Sequence, residues 1–244
     1  MTFKAIAMKS GKAIAEFSMI QEGDRILICF SGGKDSFVLI RVLSYLKRRY
    51  PIDFDLKVVC VNPNFDTSFF EKIEKITKEE GLDFEILDTK IGSIIKDLSS
   101  VKKMSPCFMC SRLRRGIIYN YAIKNNYNKI ALGHTINDAI ETHLMNTFFS
   151  NKTSFLKPKY LADNGKITVI RPMIFVDEKL ILEYIEKNEY IPVQNNCPMM
   201  VCDSKREYFR KVIADLEKMN PKIKESAYHA FKNVRELNSW DDIK

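Results

Sequence analysis

The segment that most constrains the fold is a short glycine turn between an apolar run and an amphipathic pattern. Residues 26–30 are typical of a buried strand, and apolar residues recur at helical spacing from Phe37 to Leu43. A strand, a tight turn and a helix start form an anion cradle, because the first turn of a helix has unpaired N–H donors and partial positive charge. The sequence therefore predicts a nucleotide-binding loop made of Ser31, Gly32, Gly33, Lys34, Asp35 and Ser36.

Each residue type in this loop suits an oligophosphate. The glycines let the backbone approach closely because they have no Cβ. Lys34 supplies a compact positive charge, and Asp35 supplies a hard oxygen ligand for the Mg²⁺ that accompanies ATP. The spacing differs from the GxxxxGK[ST] loop, which has four residues between its glycines. We expect ATP and Mg²⁺ here, with Lys34 and Asp35 as catalytic residues.

The rest of the chain alternates short apolar runs with longer amphipathic segments. Strands are predicted at residues 25–30, 56–62, 84–87 and 129–133. This alternation indicates βαβ units and a parallel sheet, hence an α/β fold. Ligands of such sheets bind beyond the carboxyl ends of the strands. Asn62, Gly133 and His134 fall at those ends and are predicted to contact the nucleotide.

The predicted organisation has three parts. Residues 1–22 form a lead-in helix, residues 23–172 the α/β domain, and residues 173–244 a small helical C-terminal region. Residues 150–166 are predicted to be a loop that leaves the sheet, followed by a short strand at 167–171. Helices are predicted at 177–188, 205–219 and 222–237. No apolar stretch reaches the roughly 20 residues that span a bilayer, so no membrane is expected and the cytoplasm is the expected location.

Charge and cysteines indicate a polyanionic partner and a metal or cluster. The net charge of +8 favours nucleic acid. Cys29 and Cys60 lie within apolar runs and are predicted core residues, whereas Cys107 and Cys110 form a CxxC pair. If a helix opens at Ser111, Arg112 and Arg115 share one face, while Leu113 and Ile117 occupy another. The predicted RNA contacts are Arg112, Arg114, Arg115, Lys205 and Arg206.

A second cysteine pair, Cys197 and Cys202, leaves two metal chemistries open. Two distant pairs could bind one structural zinc. The second pair has four intervening residues including a proline, which departs from a tight CxxC knuckle. A site of three thiolates is the alternative, and it leaves one iron of a [4Fe–4S] cluster open to another ligand.

Three motifs taken in order give a specific resemblance. SGGKDS resembles the SGGxDS loop of the PP-loop ATP pyrophosphatases, which cleave ATP between the α and β phosphates to adenylate an acceptor. Together with CxxCSRLRRG at residues 107–116 and GHTIND at residues 133–138, it resembles the tRNA 2-thiocytidine synthetases of the TtcA type. These belong to the TtcA/TtuA group, and the similarity runs from about residue 5 to about residue 235.

The resemblance implies roles by position. The ligands of a [4Fe–4S] cluster with one open iron would be Cys107, Cys110 and Cys202, and the TtuA branch favours Cys197 as the alternate third ligand. The family's GHHxDD segment is GHTIND here, so Asn137 replaces the first aspartate. Asp138 remains a catalytic candidate that would bind Mg²⁺ with Asp35.

The implied activity is ATP-dependent replacement of the C2 oxygen of an anticodon-loop cytidine by sulfur. The partners would be tRNA, sulfide or a cysteine-desulfurase-derived sulfur donor, and a second copy in a homodimer. Thiolation of a uridine, as in the TtuA branch, is one alternative; the additional zinc-binding cysteine pairs of that branch are missing here. An adenylating ligase with structural zinc and a noncatalytic zinc-containing RNA-binding protein are the others.

Overall fold

The computed structural model describes residues 2–62, 70–99, 106–190 and 204–233. Strands and helices alternate through most of these segments, as the sequence predicts. The strands are β1 (Asp24–Phe30), β2 (Phe54–Asn62), β3 (Asp83–Asp88), β4 (Lys129–Ala131), β5 (Lys159–Leu161) and β6 (Thr168–Ile170). The helices are α1 (Thr2–Glu16), α2 (Lys34–Lys47), α3 (Phe70–Glu79), α4 (Ile91–Ser99), α5 (Pro106–Lys124), α6 (Ile136–Phe149), α7 (Glu178–Lys187), α8 (Ser204–Met219) and α9 (Ile223–Lys232).

The strands form one sheet in the order β3-β2-β1-β4-β6-β5. All neighbours are parallel except β5, which is antiparallel to β6. The chain builds outward from β1 on one side through β2 and β3, then crosses to β4 on the other side. The strand order therefore reverses between β1 and β4, and ligands of open α/β sheets bind at that point. The predicted α/β class with a parallel sheet is confirmed.

Both faces of the central strands are buried, which explains their nearly continuous apolar sequences. On one face, Leu27, Val59 and Ile130 pack in a cluster with Ala122 of α5. On the other face, α2 packs against β1 and β2, and α1 and α7 in turn contact α2. The helix that follows the phosphate loop is thus held from both sides.

A buried ion pair joins β1 to β4 at their amino ends. The Lys129 ammonium lies 2.5 Å from the Asp24 carboxylate, and both side chains are almost fully buried. Asn128 donates a second hydrogen bond to the other carboxylate oxygen of Asp24, at 2.8 Å. Breaking one partner of such a pair is costly, because the other charge stays buried. The pair therefore fixes the register of β1 and β4, whose following loops form the candidate site.

The structure corrects two sequence expectations. The segment predicted as a loop at 150–166 contains β5, which pairs with β6 through a turn at Gly165, whose φ is +67°. Three residues are too few to produce a visible alternation of apolar and polar positions. β4 ends at Ala131 rather than Gly133, because the chain there turns toward the start of α2. The predicted helix at 222–237 is observed as α9; its last residues, from 234, lie outside the described residues.

The chain divides into two compact units. The first contains the sheet, α1–α5 and α7; the second contains α6, α8 and α9. The predicted boundary at residue 172, between the α/β domain and the C-terminal region, stays a prediction. Within the described segments, no helix combines the length and apolarity needed to cross a bilayer.

Candidate active site

The turn between β1 and α2 has the conformation of a phosphate loop. Gly32 has a φ of +86°, a left-handed conformation that strongly favours glycine. Gly33 is the extended N-cap of α2, and because glycine has no capping side chain, an incoming phosphate can take that role. The Ser36 hydroxyl donates to the Gly33 carbonyl at 2.8 Å and accepts from the Ser31 amide at 3.2 Å. Ser36 therefore braces the turn from inside.

Lys34 lies between two carboxylates. Its ammonium is 3.0 Å from an oxygen of Asp35 and 2.7 Å from an oxygen of Glu178, the first residue of α7. Burial alone disfavours the charged ammonium, but the two carboxylates outweigh it, so the pKa of Lys34 is raised. Lys34 is consequently a fixed cation at neutral pH, suited to binding anionic phosphates.

Gly133 lets the loop after β4 touch the start of α2. A Cβ added there would lie 3.0 Å from the carbonyl carbon and oxygen of Asp35 and 3.2 Å from the Ser36 nitrogen. All three are backbone atoms, so no side-chain movement could relieve the contact. The predicted nucleotide-binding segments that follow β1 and β4 are therefore in contact, at the place in the sheet where the strand order reverses.

His134 is positioned by Arg171, the first residue after β6. The Arg171 Nε donates to the Nδ1 of His134 at 3.2 Å, so that nitrogen is the acceptor in this contact. The Arg171 guanidinium lies 5.2 Å from the ring centroid of Tyr160 on β5. Burial lowers the pKa of Arg171, an effect that the neighbouring tyrosines only partly oppose. The missed strand β5 therefore supports the loop that carries His134.

Tyr190 covers the other side of the phosphate loop. Its ring stacks on Phe37 of α2, with centroids 3.8 Å apart and planes 3° from parallel. Its hydroxyl donates a long hydrogen bond, 3.4 Å, to the carbonyl of Gly32. Burial raises the pKa of Tyr190 to about 12, so the hydroxyl keeps its proton. Tyr190 thus holds the glycine turn from outside, as Ser36 does from inside.

The CxxC pair opens a helix. α5 begins at Pro106, not at Ser111, so Cys107 and Cys110 lie one turn apart at its N-terminus. Cys107 is exposed, and Cys110 is half-buried beside a core cluster that includes Met109 and Val61 of β2. Val61 is next to the carboxyl end of β2. The cysteine pair therefore lies at the same end of the sheet as the phosphate loop.

Comparison with known proteins identifies the family. A model described as the PP-loop domain matches residues 5–197. The tRNA-cytidine(32) 2-sulfurtransferase of Geobacter sulfurreducens is 36% identical over 96% of this chain and 91% of its own length. The protein of that name from Geotalea daltonii is 38% identical over 98% of this chain and 95% of its own length. The chain belongs to this family.

A solved structure supports the fold independently. The U34-tRNA thiolase NcsA from Methanococcus maripaludis, a structure with its [4Fe-4S] cluster, matches with a TM-score of 0.76 and 24% identity over 98% of this chain and 83% of its own. The NH3-dependent NAD synthetase of Campylobacter jejuni matches with a TM-score of 0.50 and 13% identity over 78% of this chain and 74% of its own. At these identities the likeness establishes the shared fold.

Asn62, which the sequence predicts to contact the nucleotide, joins two strand ends in the structure. It is buried at the end of β2, and its side-chain amide donates to Asp88 at the end of β3, 2.8 Å away. Its carbonyl accepts from the amide and the hydroxyl of Thr89, at 3.1 and 2.8 Å. These contacts join two strand ends. Contact with a nucleotide stays a prediction.

The arginines after the CxxC pair divide as expected on α5. Arg112 and Arg115 are exposed, while Leu113 and Ile117 pack against the core cluster on another face. Arg114 is half-buried and close enough to Cys60 to affect its thiol. Burial raises the pKa of Cys60 to about 11, against an opposing effect of Arg114. Two of the three arginines therefore present their charge to solvent, as an RNA contact requires.

In the second unit, the structure pairs two residues that were predicted to have separate roles. Asp138 on α6 forms an ion pair with Arg206 on α8, at 3.3 Å. One turn further along α6, the buried Glu141 pairs with Arg210 at 2.9 Å. Burial raises the pKa of Glu141 more than the arginines lower it. Binding of Mg²⁺ by Asp138 and contact of Arg206 with RNA stay predictions. Each of these roles would either coexist with the ion pair between Asp138 and Arg206 or replace it.

The remaining cysteines fall into two groups. Burial raises the pKa of Cys29 to about 12, which fits the predicted core role that it shares with Cys60. Cys197 and Cys202 lie outside the described residues, so the choice between them stays open. No group of three metal-binding side chains occurs among the residues from 2–62, 70–99, 106–190 and 204–233. The third ligand of a three-thiolate site stays a prediction.

Sequence reasoning missed three residues that shape the site: Arg171, Glu178 and Tyr190. Glu178 is recognisable only as an acidic residue in a first helical turn, a common stabilising feature. Its contact with Lys34 spans 144 positions of the chain, and that of Tyr190 with Gly32 spans 158. No local pattern carries such long-range information.

Proposed function

We propose that this protein is an ATP-dependent tRNA sulfurtransferase that converts a cytidine to 2-thiocytidine. The observation that carries the proposal is the placement of a phosphate loop and a cysteine-bearing helix N-terminus at one end of the same sheet, in a chain of the tRNA-cytidine(32) 2-sulfurtransferase family. The first feature suits activation by ATP, and the second suits a sulfur-handling cluster.

In the activation step, the C2 oxygen of cytidine attacks the α-phosphorus of ATP. A bond forms between that oxygen and phosphorus, the bond to the β-phosphate bridging oxygen breaks, and pyrophosphate leaves. Lys34 and the first-turn amides of α2 stabilise the charge that develops on the phosphates. Sulfide then adds at C2, AMP departs with the former C2 oxygen, and the proton of hydrosulfide passes to solvent.

The residues around the loop act by keeping this cradle rigid. Glu178 holds the Lys34 ammonium in place, and Tyr190 and Ser36 fix the glycine turn. Gly133 allows the loop after β4 to close against α2. Positioning of this kind can supply a large share of the rate enhancement.

The chemistry of α5 fits a [4Fe–4S] cluster. Cys107 and Cys110 lie one turn apart at a helix N-terminus, where N–H groups and partial positive charge favour thiolates. Cys202, or alternatively Cys197, would complete the ligand set. When bound, a cluster with three thiolate ligands supplies an open iron position for the incoming sulfur.

Further parts of the proposal concern the other partners. Asp35 and Asp138 would bind Mg²⁺, and exposed Arg112 and Arg115 would contact the tRNA backbone. The sulfur would come as sulfide or from a cysteine-desulfurase-derived donor. A homodimer and a cytoplasmic location complete the expectation.

Thiolation of a tRNA transcript tests the proposal directly. Protein purified without oxygen is incubated with ATP, Mg²⁺, sulfide and tRNA, and nucleosides are analysed by mass spectrometry. We expect 2-thiocytidine with wild type and none with Lys34→Met. Formation of 2-thiouridine instead would show that the protein thiolates a uridine. If neither thionucleoside forms and tRNA does not stimulate pyrophosphate release, the proposed sulfurtransferase activity is refuted.

Metal content tests the cluster separately from activity. We expect about four iron and four labile sulfide per chain, lost in Cys107→Ser and Cys110→Ser and retained in the control Cys29→Ala. Comparison of Cys202→Ala with Cys197→Ala assigns the third ligand. Stoichiometric zinc without sulfide would favour the ligase with structural zinc.

A further inference from the structure

The second unit carries an exposed group of aromatic rings, here called the aromatic patch: Phe148, Phe149 and Tyr208. Their exposed fractions are 67%, 54% and 61%. Phe148 and Phe149 are the last residues of α6, and Tyr208 lies in the second turn of α8. Contiguous exposed aromatic surface is uncommon on a protein without a partner and marks an interaction site.

The rings of the aromatic patch are held by one buried residue. Phe209 is 5% exposed and contacts all three. Its ring centroid is 6.0 Å from that of Phe148, 6.0 Å from that of Phe149 and 5.7 Å from that of Tyr208. Phe148 is nearly parallel to Phe209, and the other two are edge-on. These are favourable aromatic geometries, so the patch is ordered before any partner binds.

A cation lies directly over the aromatic patch. The Lys205 ammonium is 4.3 Å from the ring centroid of Phe149, a cation–π distance. Further along the same helix, the side chains of Lys211 and Arg210 are 75% and 51% exposed, but each forms an ion pair, with Glu207 and Glu141 respectively, so Lys205 is the cation considered for a phosphate contact. The surface therefore combines aromatic rings with positive charge.

This combination fits a nucleotide better than another protein surface. Proteins bind single strands by stacking bases on aromatic rings while cations contact the phosphates. A second copy docked with Lys205 near the two-fold axis would bring two ammonium groups together, and like charges at an interface are unfavourable.

We propose that the aromatic patch, with Lys205, is a stacking platform for an unpaired nucleotide of the tRNA substrate. The inference rests on the proposed function, because it takes tRNA as the partner. Phe149 and Tyr208 contact bases, Lys205 contacts a phosphate, and Phe209 positions the rings. Stacking on the rings would contribute affinity that is independent of sequence and insensitive to salt, while Lys205 would contribute the salt-dependent part.

Binding of a tRNA transcript over a series of salt concentrations tests the platform. We expect Phe149→Ala and Tyr208→Ala to weaken binding about tenfold each, with an unchanged slope of log affinity against log salt. Lys205→Gln should reduce the magnitude of that slope by about 0.7. Phe149→Tyr keeps a stacking ring and should restore binding. Met219→Ala removes an exposed apolar side chain from the end of the same helix and is the matched control, expected to bind like wild type.

The outcomes separate the platform from the function on which it rests. If wild type thiolates tRNA but both ring-removing variants bind within twofold of wild type, the platform is wrong and the proposed function stands. If they change the sedimentation mass of the protein without changing tRNA affinity, the patch is an interface between copies and the platform is also wrong. A wild type that neither binds nor thiolates tRNA refutes the proposed function itself. Thermal melting establishes that each variant is folded.

Discussion

Replacement of Gly133 by alanine tests the phosphate cradle with a single methyl group. The new Cβ would lie 3.0 Å from two backbone atoms of Asp35 and 3.2 Å from the Ser36 nitrogen. Either the start of α2 or the loop after β4 must then move by a few tenths of an ångström. Overpacking of this kind costs about 1–3 kcal/mol, and each kcal/mol lowers the melting temperature by about 2–4 °C in a chain of this size.

The same movement takes the loop amides out of position for phosphate. We expect Gly133→Ala to lower the melting temperature by about 2–12 °C and to weaken the binding of ATP about tenfold. Differential scanning calorimetry measures the first effect, and titration calorimetry with a nonhydrolysable ATP analogue measures the second.

Gly116→Ala is the matched control because it makes the same chemical change on α5, where nothing beyond the chain neighbours and the local helix backbone lies within 4 Å of the added Cβ. Alanine favours helix over glycine by about 1 kcal/mol, so this variant should melt higher than wild type and bind ATP normally. If Gly133→Ala melts and binds ATP like wild type, the close approach of the two loops is wrong.

Three further predictions concern contacts that surround the loop. Glu178→Gln removes one of two carboxylates that raise the pKa of Lys34, so the alkaline limb of the pH profile for ATP-dependent activity should move to lower pH, while Glu186→Gln on the same helix leaves it in place. Tyr190→Phe keeps the stacked ring and should cost less than about 1 kcal/mol in urea unfolding, whereas Tyr190→Ala should cost about 2–3 kcal/mol; equal costs would refute the stacking role. Because the pKa of Glu141 is raised in the folded state, its contribution to stability is full below the ordinary glutamate pKa and is lost as the pH rises through the folded value. In Glu141→Gln, the decrease in the free energy of unfolding with rising pH that Glu141 causes should be missing when unfolding is measured over a pH series. An unchanged pH profile would contradict the raised pKa of Glu141.

Local sequence signals predicted the parts of the site that one short segment creates. The loop between β1 and α2 is visible because Gly32 and Gly33 follow an apolar run and precede a helical pattern. The strand ends that carry Asn62 and His134 follow from the alternation of strands and helices. The family resemblance rested on the same local motifs, and the comparisons confirmed it.

Contacts between distant segments were not predictable in this way. Glu178 and Tyr190 act on the loop only because α7 folds back against α2, and neither residue differs from an ordinary helix-start acid or loop aromatic. The start of α5 was missed because cysteine and methionine have no strong positional preference at a helix N-terminus, although Pro106 was the available signal.

The fate of the C2 oxygen shows whether ATP adenylates the base before sulfur is added. A tRNA that carries ¹⁸O at C2 of cytidine 32 is thiolated to completion with ATP and sulfide, and the released AMP is analysed by mass spectrometry. We expect one ¹⁸O in each AMP, because that oxygen forms the bond to the α-phosphorus before sulfur replaces it. AMP without ¹⁸O, alongside a thiolated base, would contradict activation of the base by ATP.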